Sequence, residues 1–159
     1  MSFRAEIDSI TPGLRRFARA LVLDEHDARS DVADSLVHQT ILRAISNERT
    51  IEAGALRRWL YAALIDANRI RRMDPSVDRQ PPQAPVAAAL DVLNLDDRAA
   101  LLLVALEGFT YAGAAEILRI PRATLVQRLV RARVRVGEIP DAARAADPKR
   151  QHPHLRLVK

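Results

Sequence analysis

The sequence predicts an all-α protein: two small helical domains joined by a Pro-rich linker, the second containing a helix-turn-helix. Three observations carry this reading. Ala, Leu and Arg dominate a chain with only 4% aromatic residues, which is a helix-forming composition. Apolar residues recur at helical spacing, and no alternating strand pattern rises beside them. Prolines at 75, 81, 82 and 85 interrupt that pattern near the middle of the 159 residues and favour an extended segment. The expected division is a first domain over 1–73, a linker over 74–85, a second domain over 86–140 and a flexible tail over 141–159.

Taken in order, the first amphipathic helix is expected from about Pro12 to Leu23, with Leu14, Phe17, Ala18 and Leu21 on one side. The acidic stretch 24–27 is a loop. A second helix starts near Asp31, an apt N-cap, and runs to about Ile45; Val32, Leu36, Val37, Thr40, Ile41 and Ala44 keep its period. A third runs from Ala55 to about Arg72 and turns Leu56, Trp59, Leu60, Ala63, Leu64 and Ala67 inward, around a core expected at Trp59. Beyond the linker, helical pattern resumes at Val86–Leu93. A stronger helix runs from Asp96 and Asp97, acids suited to an N-terminal dipole, to Glu107, with Gly108 as its C-cap.

The stretch Thr110–Val136 reads as two helices and a tight turn. Thr110 is a good N-cap, and Ala114, Ala115, Ile117 and Leu118 form the first helix's packing side. The turn falls at Arg119-Ile120-Pro121, where proline ends one helix and suits the entrance of the next. In the second helix Leu125, Leu129, Ala132 and Val136 make the core stripe, while Thr124, Gln127, Arg128 and Arg131 lie opposite. Residues 109–159 hold eleven Lys/Arg against four Asp/Glu, whereas 74–108 hold two against six. A positive field concentrated on a helix-turn-helix suits a phosphate backbone.

Other chemistries find no support. With no cysteine there is no disulfide framework or thiolate metal site, and the four histidines form no spaced ligand set. No Gly-rich phosphate loop, His-Glu motif or nucleophile elbow is present. Neither catalysis, cofactor, metal nor small-molecule substrate is expected. No signal-peptide core or membrane-length apolar run occurs, so a cytoplasmic location is expected and no membrane partner.

The stretch RAALLLVALEGFTYAGAAEILRIPRATLVQRLVRARVRV resembles region 4 of the extracytoplasmic-function sigma factors of bacterial RNA polymerase, of the sigma-70 family. LRRFARAL, DVADSLVHQTILRAI and LRRWLYAALIDANRIRR together resemble region 2 of the same family. The resemblance implies that the second helix of the helix-turn-helix reads the −35 promoter element through Arg122, Thr124, Gln127, Arg128 and Arg131. Side-chain chemistry agrees, since Arg and Gln bond base edges and further arginines hold phosphates. It also implies docking on core RNA polymerase by Asp34, Ser35, Leu36, His38, Gln39 and Arg43. Trp59, Arg69, Arg71 and Arg72 would approach the −10 DNA. Core polymerase, promoter DNA and an anti-sigma factor are the implied partners, and transcription initiation, as in a stress response, the implied process.

Four departures bear on that reading. The docking helix has Ser35 and Gln39 where the family usually carries an acidic pair. Ile65-Asp66 replaces an Arg-Asn pair, placing an acid beside expected DNA. Arg119 stands at the turn glycine, at a cost of up to about 1 kcal/mol should its φ be positive. Val126, Val130 and Val134 form an apolar stripe at usual polar positions; the expected reading is a wider buried face, the alternative a partner-binding face. The leading function is an alternative sigma factor directing polymerase to a subset of promoters. The alternative is a sigma-like decoy that binds an anti-sigma factor without productive DNA binding; an ordinary helix-turn-helix repressor would leave the first domain without a role.

Overall fold

The computed structural model describes residues 2–23, 30–76 and 84–137, the side chains of 30 and 31 excepted. The acidic loop, the middle of the expected linker and the expected tail lie outside the described residues. Among the described residues all regular structure is helical. α1 spans Phe3–Val22, α2 Ser30–Ser46, α3 Leu56–Met73, α4 Pro85–Asp91, α5 Leu95–Leu101, α6 Tyr111–Leu118 and α7 Arg122–Gly137. A 3-10 turn at Glu48–Thr50 precedes α3, and a π-helical turn at Leu102–Leu106 continues α5.

α1 begins nine residues before the expected start, because Pro12 lies inside the helix rather than at its entrance. Proline deletes one helical N–H and frees the carbonyl of Asp8. Asp8 and Pro12 are both exposed, so water can take that carbonyl at little cost. Ser2 supplies the N-cap, accepting from Ala5 N at 3.2 Å. α2 starts at Ser30, which puts Asp31 inside the first turn rather than at the cap. α5 is capped by Asn94, whose side chain accepts from Asp97 N at 2.8 Å, so Asp96 and Asp97 fall in its first turn.

The core is continuous across α1, α2, α3, α5, the π turn, α6 and α7. Its aromatic centre is Tyr61, not Trp59. Phe17 and Phe109 stand edge-on to the Tyr61 ring, with centroids 5.1 and 5.0 Å away. Trp59 is half-buried at the margin, with Arg43 over its ring at 6.0 Å, and Ala67 is half-buried too. Of the expected face of α3, Leu56, Leu60, Ala63 and Leu64 are buried, and the buried surface extends round the helix to Tyr61, Ile65 and Asn68.

Candidate nucleic-acid interface and the seam behind it

The helix-turn-helix is built as its sequence dictates. Thr110 Oγ1 accepts from Gly113 N at 3.0 Å to start α6. Gly108, at φ 69°, ends the preceding turn, and Phe109 N reaches back to Leu103 O at 3.0 Å. Arg119 adopts φ 54°, ψ 46°, the left-handed conformation that makes glycine the cheaper choice there. Leu125, Leu129 and Ala132 of α7 are buried, and Val136 is half-buried.

The predicted DNA-facing residues divide into two groups. Arg122 and Gln127 are exposed, Arg122 lying 6.0 Å from the Tyr111 ring. Thr124, Arg128 and Arg131 lie on the flank of α7 nearer α5. The Arg131 guanidinium donates twice, at 2.6 Å each, to the two oxygens of Asp97, whose side chain is fully buried. Those hydrogen bonds and the Asp97 charge hold Arg131 above the ordinary arginine range. Arg128 retains 19% of its side-chain exposure and lies 3.8 Å from Asp96. Arg135, on the same flank, reaches Val92 O at 3.4 Å.

The valine stripe corrects the expectation of a wider buried face. Val126, Val130 and Val134 are 39%, 55% and 54% exposed. At 3.6 residues per turn the core side of α7 is complete with Leu125, Leu129 and Ala132; Val130, Val134, Ala123 and Gln127 point the opposite way. The outermost surface of this helix is therefore largely apolar, with its arginines to either side.

On α2, Ser35, His38, Gln39 and Arg43 are exposed, and Gln39 Nε2 lies 3.4 Å from Ser35 Oγ. Asp34 is half-buried, 3.9 Å from both Arg15 and Arg19. Leu36 does not share that surface: it is 4% exposed and belongs to the core. Leu42, half-exposed, lies between His38 and Ile45 on that side of α2. On α3, Arg71 bonds Asn68 Oδ1 at 3.2 and 3.3 Å, and Arg72 is half-buried. Arg69 faces the C-terminal helices, donating to Asp96 Oδ1 at 3.0 Å.

Behind these surfaces lies a polar seam between α1–α3 and the C-terminal helices. Glu107, carried in by the π turn, buries its carboxylate where Tyr61 donates to Oε2 at 2.7 Å and Arg16 to both oxygens at 3.0 and 3.1 Å. Arg57 donates to the Glu107 carbonyl at 2.8 Å and lies 4.0 Å over Phe109. Burial, reinforced by the hydrogen bond to Glu107, pushes the Tyr61 phenol well above its ordinary range. A Cβ at Gly13 would stand 2.9 Å from the Tyr61 hydroxyl and 3.1 Å from Glu107 Oε2, so glycine gives this cluster its room. Arg98, 1% exposed, donates to the carbonyls of Leu21, Leu90 and Leu93 at 3.0–3.1 Å and lies 3.6 Å from Asp91. Leu21 and Leu90 lie in the last turns of α1 and α4, where carbonyls lack helical partners. Burial lowers Arg98 to about 10, which leaves it charged at neutral pH.

None of this seam was read from the sequence. The one signal available was Arg98 sharing a helical face with Leu95 and Leu102 in a segment otherwise rich in acids. Among the described residues no helix is long and apolar enough to cross a membrane, and no group of three or more His, Asp or Glu is placed to hold a metal.

Comparison with known proteins matches these parts separately and together. The family model for sigma-70 region 4 matches residues 83–136, and that for the sigma2 domain of PhyR matches residues 7–65. The chain is 34% identical to the ECF RNA polymerase sigma factor EcfG of Rhodopseudomonas palustris (strain TIE-1), across 87% of this chain and 84% of that protein. It is similar to the sigma factor RpoE of Bartonella quintana, solved in complex with the anti-sigma factor NepR, at TM-score 0.69 and 27% identity over 91% of this chain and 98% of that one. The fold also matches the PhyRSL–NepR complex from Sphingomonas sp. Fr1, at TM-score 0.71 and 22% identity over 97% and 98% of the two chains. An all-α chain with a helix-turn-helix, related along most of its length to a sigma factor, belongs to the extracytoplasmic-function sigma factors of the sigma-70 family.

Proposed function

We propose that this chain is an alternative sigma factor that directs RNA polymerase to a subset of promoters. α7 meets the −35 element, the exposed side of α2 docks on core polymerase, and the end of α3 approaches the −10 element. An anti-sigma protein is its regulator. The observation that carries this reading is the helix-turn-helix itself, complete in cap, turn and core, on a chain related along most of its length to a sigma factor. Arg122 and Gln127 are the base-reading candidates, because their side chains are exposed and their chemistry suits guanine and adenine edges. Run-off transcription with purified core polymerase, on DNA selected by the protein itself, tests it. Specific transcripts are expected; absence of any complex with core polymerase at micromolar concentration and low salt rejects it.

A second reading, the decoy, is favoured by a specific observation: the outward surface of α7 is apolar where a groove-reading helix needs polar groups. The match of residues 7–65 to the sigma2 domain of PhyR, which in Bartonella quintana is an anti-anti-sigma factor solved in complex with the anti-sigma factor NepR, points the same way. A decoy binds polymerase poorly and holds an anti-sigma protein, and Val130→Asp releases that protein. A sigma factor binds polymerase, and Ser35→Asp with Gln39→Glu tightens the complex, most at low salt. The exposed Arg122 and Gln127 on α7, with the relation to a sigma factor along most of the chain, support the sigma factor over the decoy.

A further inference from the structure

Asp66 and Arg119 are 53 positions apart and meet across the seam, Arg119 Nη2 donating to Asp66 Oδ2 at 3.1 Å. The other oxygen of Asp66 accepts from Arg69 at 3.5 Å, and Arg69 in turn donates to Asp96 at 3.0 Å. With Arg128 on the far side of Asp96, the charges alternate as Arg119–Asp66–Arg69–Asp96–Arg128 and cross the seam twice. Arg58–Glu116, at 3.4 Å, is a further crossing pair. The centre of the seam is buried; this rim is not, and Arg119 keeps 69% of its side-chain exposure. Arg119 also stands in a left-handed backbone conformation that glycine would adopt at lower cost. What the arginine adds there is its reach to Asp66.

We propose that the Asp66–Arg119 pair is an electrostatic latch, holding the helix-turn-helix against α3 and releasing it when the rim charges are screened or captured. While the latch is shut, Arg69 faces Asp96 and Arg119 faces Asp66. Each then shares its charge with an acid instead of offering it whole to a nucleic-acid backbone, so the latch sets how strongly both ends present that charge to a promoter. That functional consequence rests on the sigma-factor reading, whereas the latch itself does not.

The chain has no cysteine, so Glu48→Cys and Arg133→Cys, both at exposed positions, give a uniquely double-labelled full-length protein. Pulsed electron paramagnetic resonance then reads the separation of the two halves. Nitration of Tyr61, followed by mass spectrometry, reads openings too rare for that method. Asp66→Asn and Arg119→Gln are each expected to raise the open-to-closed ratio about two- to fivefold at low salt. The double variant should go no further than the larger single effect, and 0.5 M salt should erase the differences. Arg119→Gly, which also relieves the backbone, should open the chain as Arg119→Gln does. Unchanged distances and nitration rates in both single variants overturn the latch, as do fully additive effects in the double. Both readouts are independent of transcription, so their failure is distinct from failure of the sigma-factor assignment.

Discussion

Glu107 is the side chain at which the two halves of the chain are most closely joined, and its partners make sharp tests. Tyr61→Phe deletes the hydroxyl that donates to a buried carboxylate, while Arg16 stays in place. Loss of that charge-assisted bond should lower unfolding free energy by about 1.5–3 kcal/mol, measured by urea titration. The same pair predicts an alkaline limb. Because the folded-state pKa of Tyr61 is raised, its contribution is complete below the ordinary phenol range near pH 10 and is lost as pH climbs from there toward the raised value. Tyr61→Phe should flatten that fall. On α7, Arg131 is held by both oxygens of Asp97, so its fork matters as well as its charge. Arg131→Lys keeps the charge and should still cost about 1–2 kcal/mol of stability, because part of a buried carboxylate loses its partner. Gln127→Ala should leave stability within about 0.5 kcal/mol and, in a sigma factor, relax preference at one base pair by about 1–3 kcal/mol. Equal thermal midpoints for wild type and Arg131→Lys would remove Asp97 as the reason for Arg131.

At the scale of elements, the parts legible in the sequence were those specified locally. Thr110 and Pro121 announce the start of α6 and the turn into α7 through capping and backbone restriction alone, and Gly108 does the same for the π turn before them. Pro12 misled for the converse reason: a proline is as good at a helix entrance as it is tolerable on an exposed side within one, and only tertiary burial of Ile7 distinguishes the cases. Trp59 and Tyr61, two positions apart, lie on nearly opposite sides of α3; which becomes the centre depends on Phe109, contributed by a distant segment. The valine stripe was misjudged because apolar periodicity does not say whether anything covers the face. Its exposure yields a direct test. Val130→Asp should shift unfolding free energy by no more than about 0.5 kcal/mol, whereas Leu129→Ala, one residue away and 2% exposed, should cost about 2–5 kcal/mol. A large loss from Val130→Asp would mean that α7 packs outward as well as inward.

For the molecule as a whole, the acidic and basic segments seen in the sequence turn out to be neighbours. Asp96 and Asp97 of the segment 74–108 take Arg128 and Arg131 from the basic third of the chain. The division into two domains at 74–85 remains a proposal drawn from its prolines. Limited proteolysis should cut that stretch before it cuts residues 31–45 or 97–107, and first cuts within those helices would argue against the division. The long-range hydrogen bonds of Arg98 have a further consequence, for synthesis on the ribosome. Leu21 offers its carbonyl to a guanidinium 77 residues later in the chain. At about 5–20 residues per second, α1 therefore waits roughly 4–15 s after it is made before that donor exists. Through that interval the Leu21 carbonyl lacks the donor that completes its burial. The end of α1 in this nascent chain is thus finished only by a residue of its own C-terminal half, and a ribosome-stalled fragment ending before residue 98 should bind a chaperone that the released full-length chain does not.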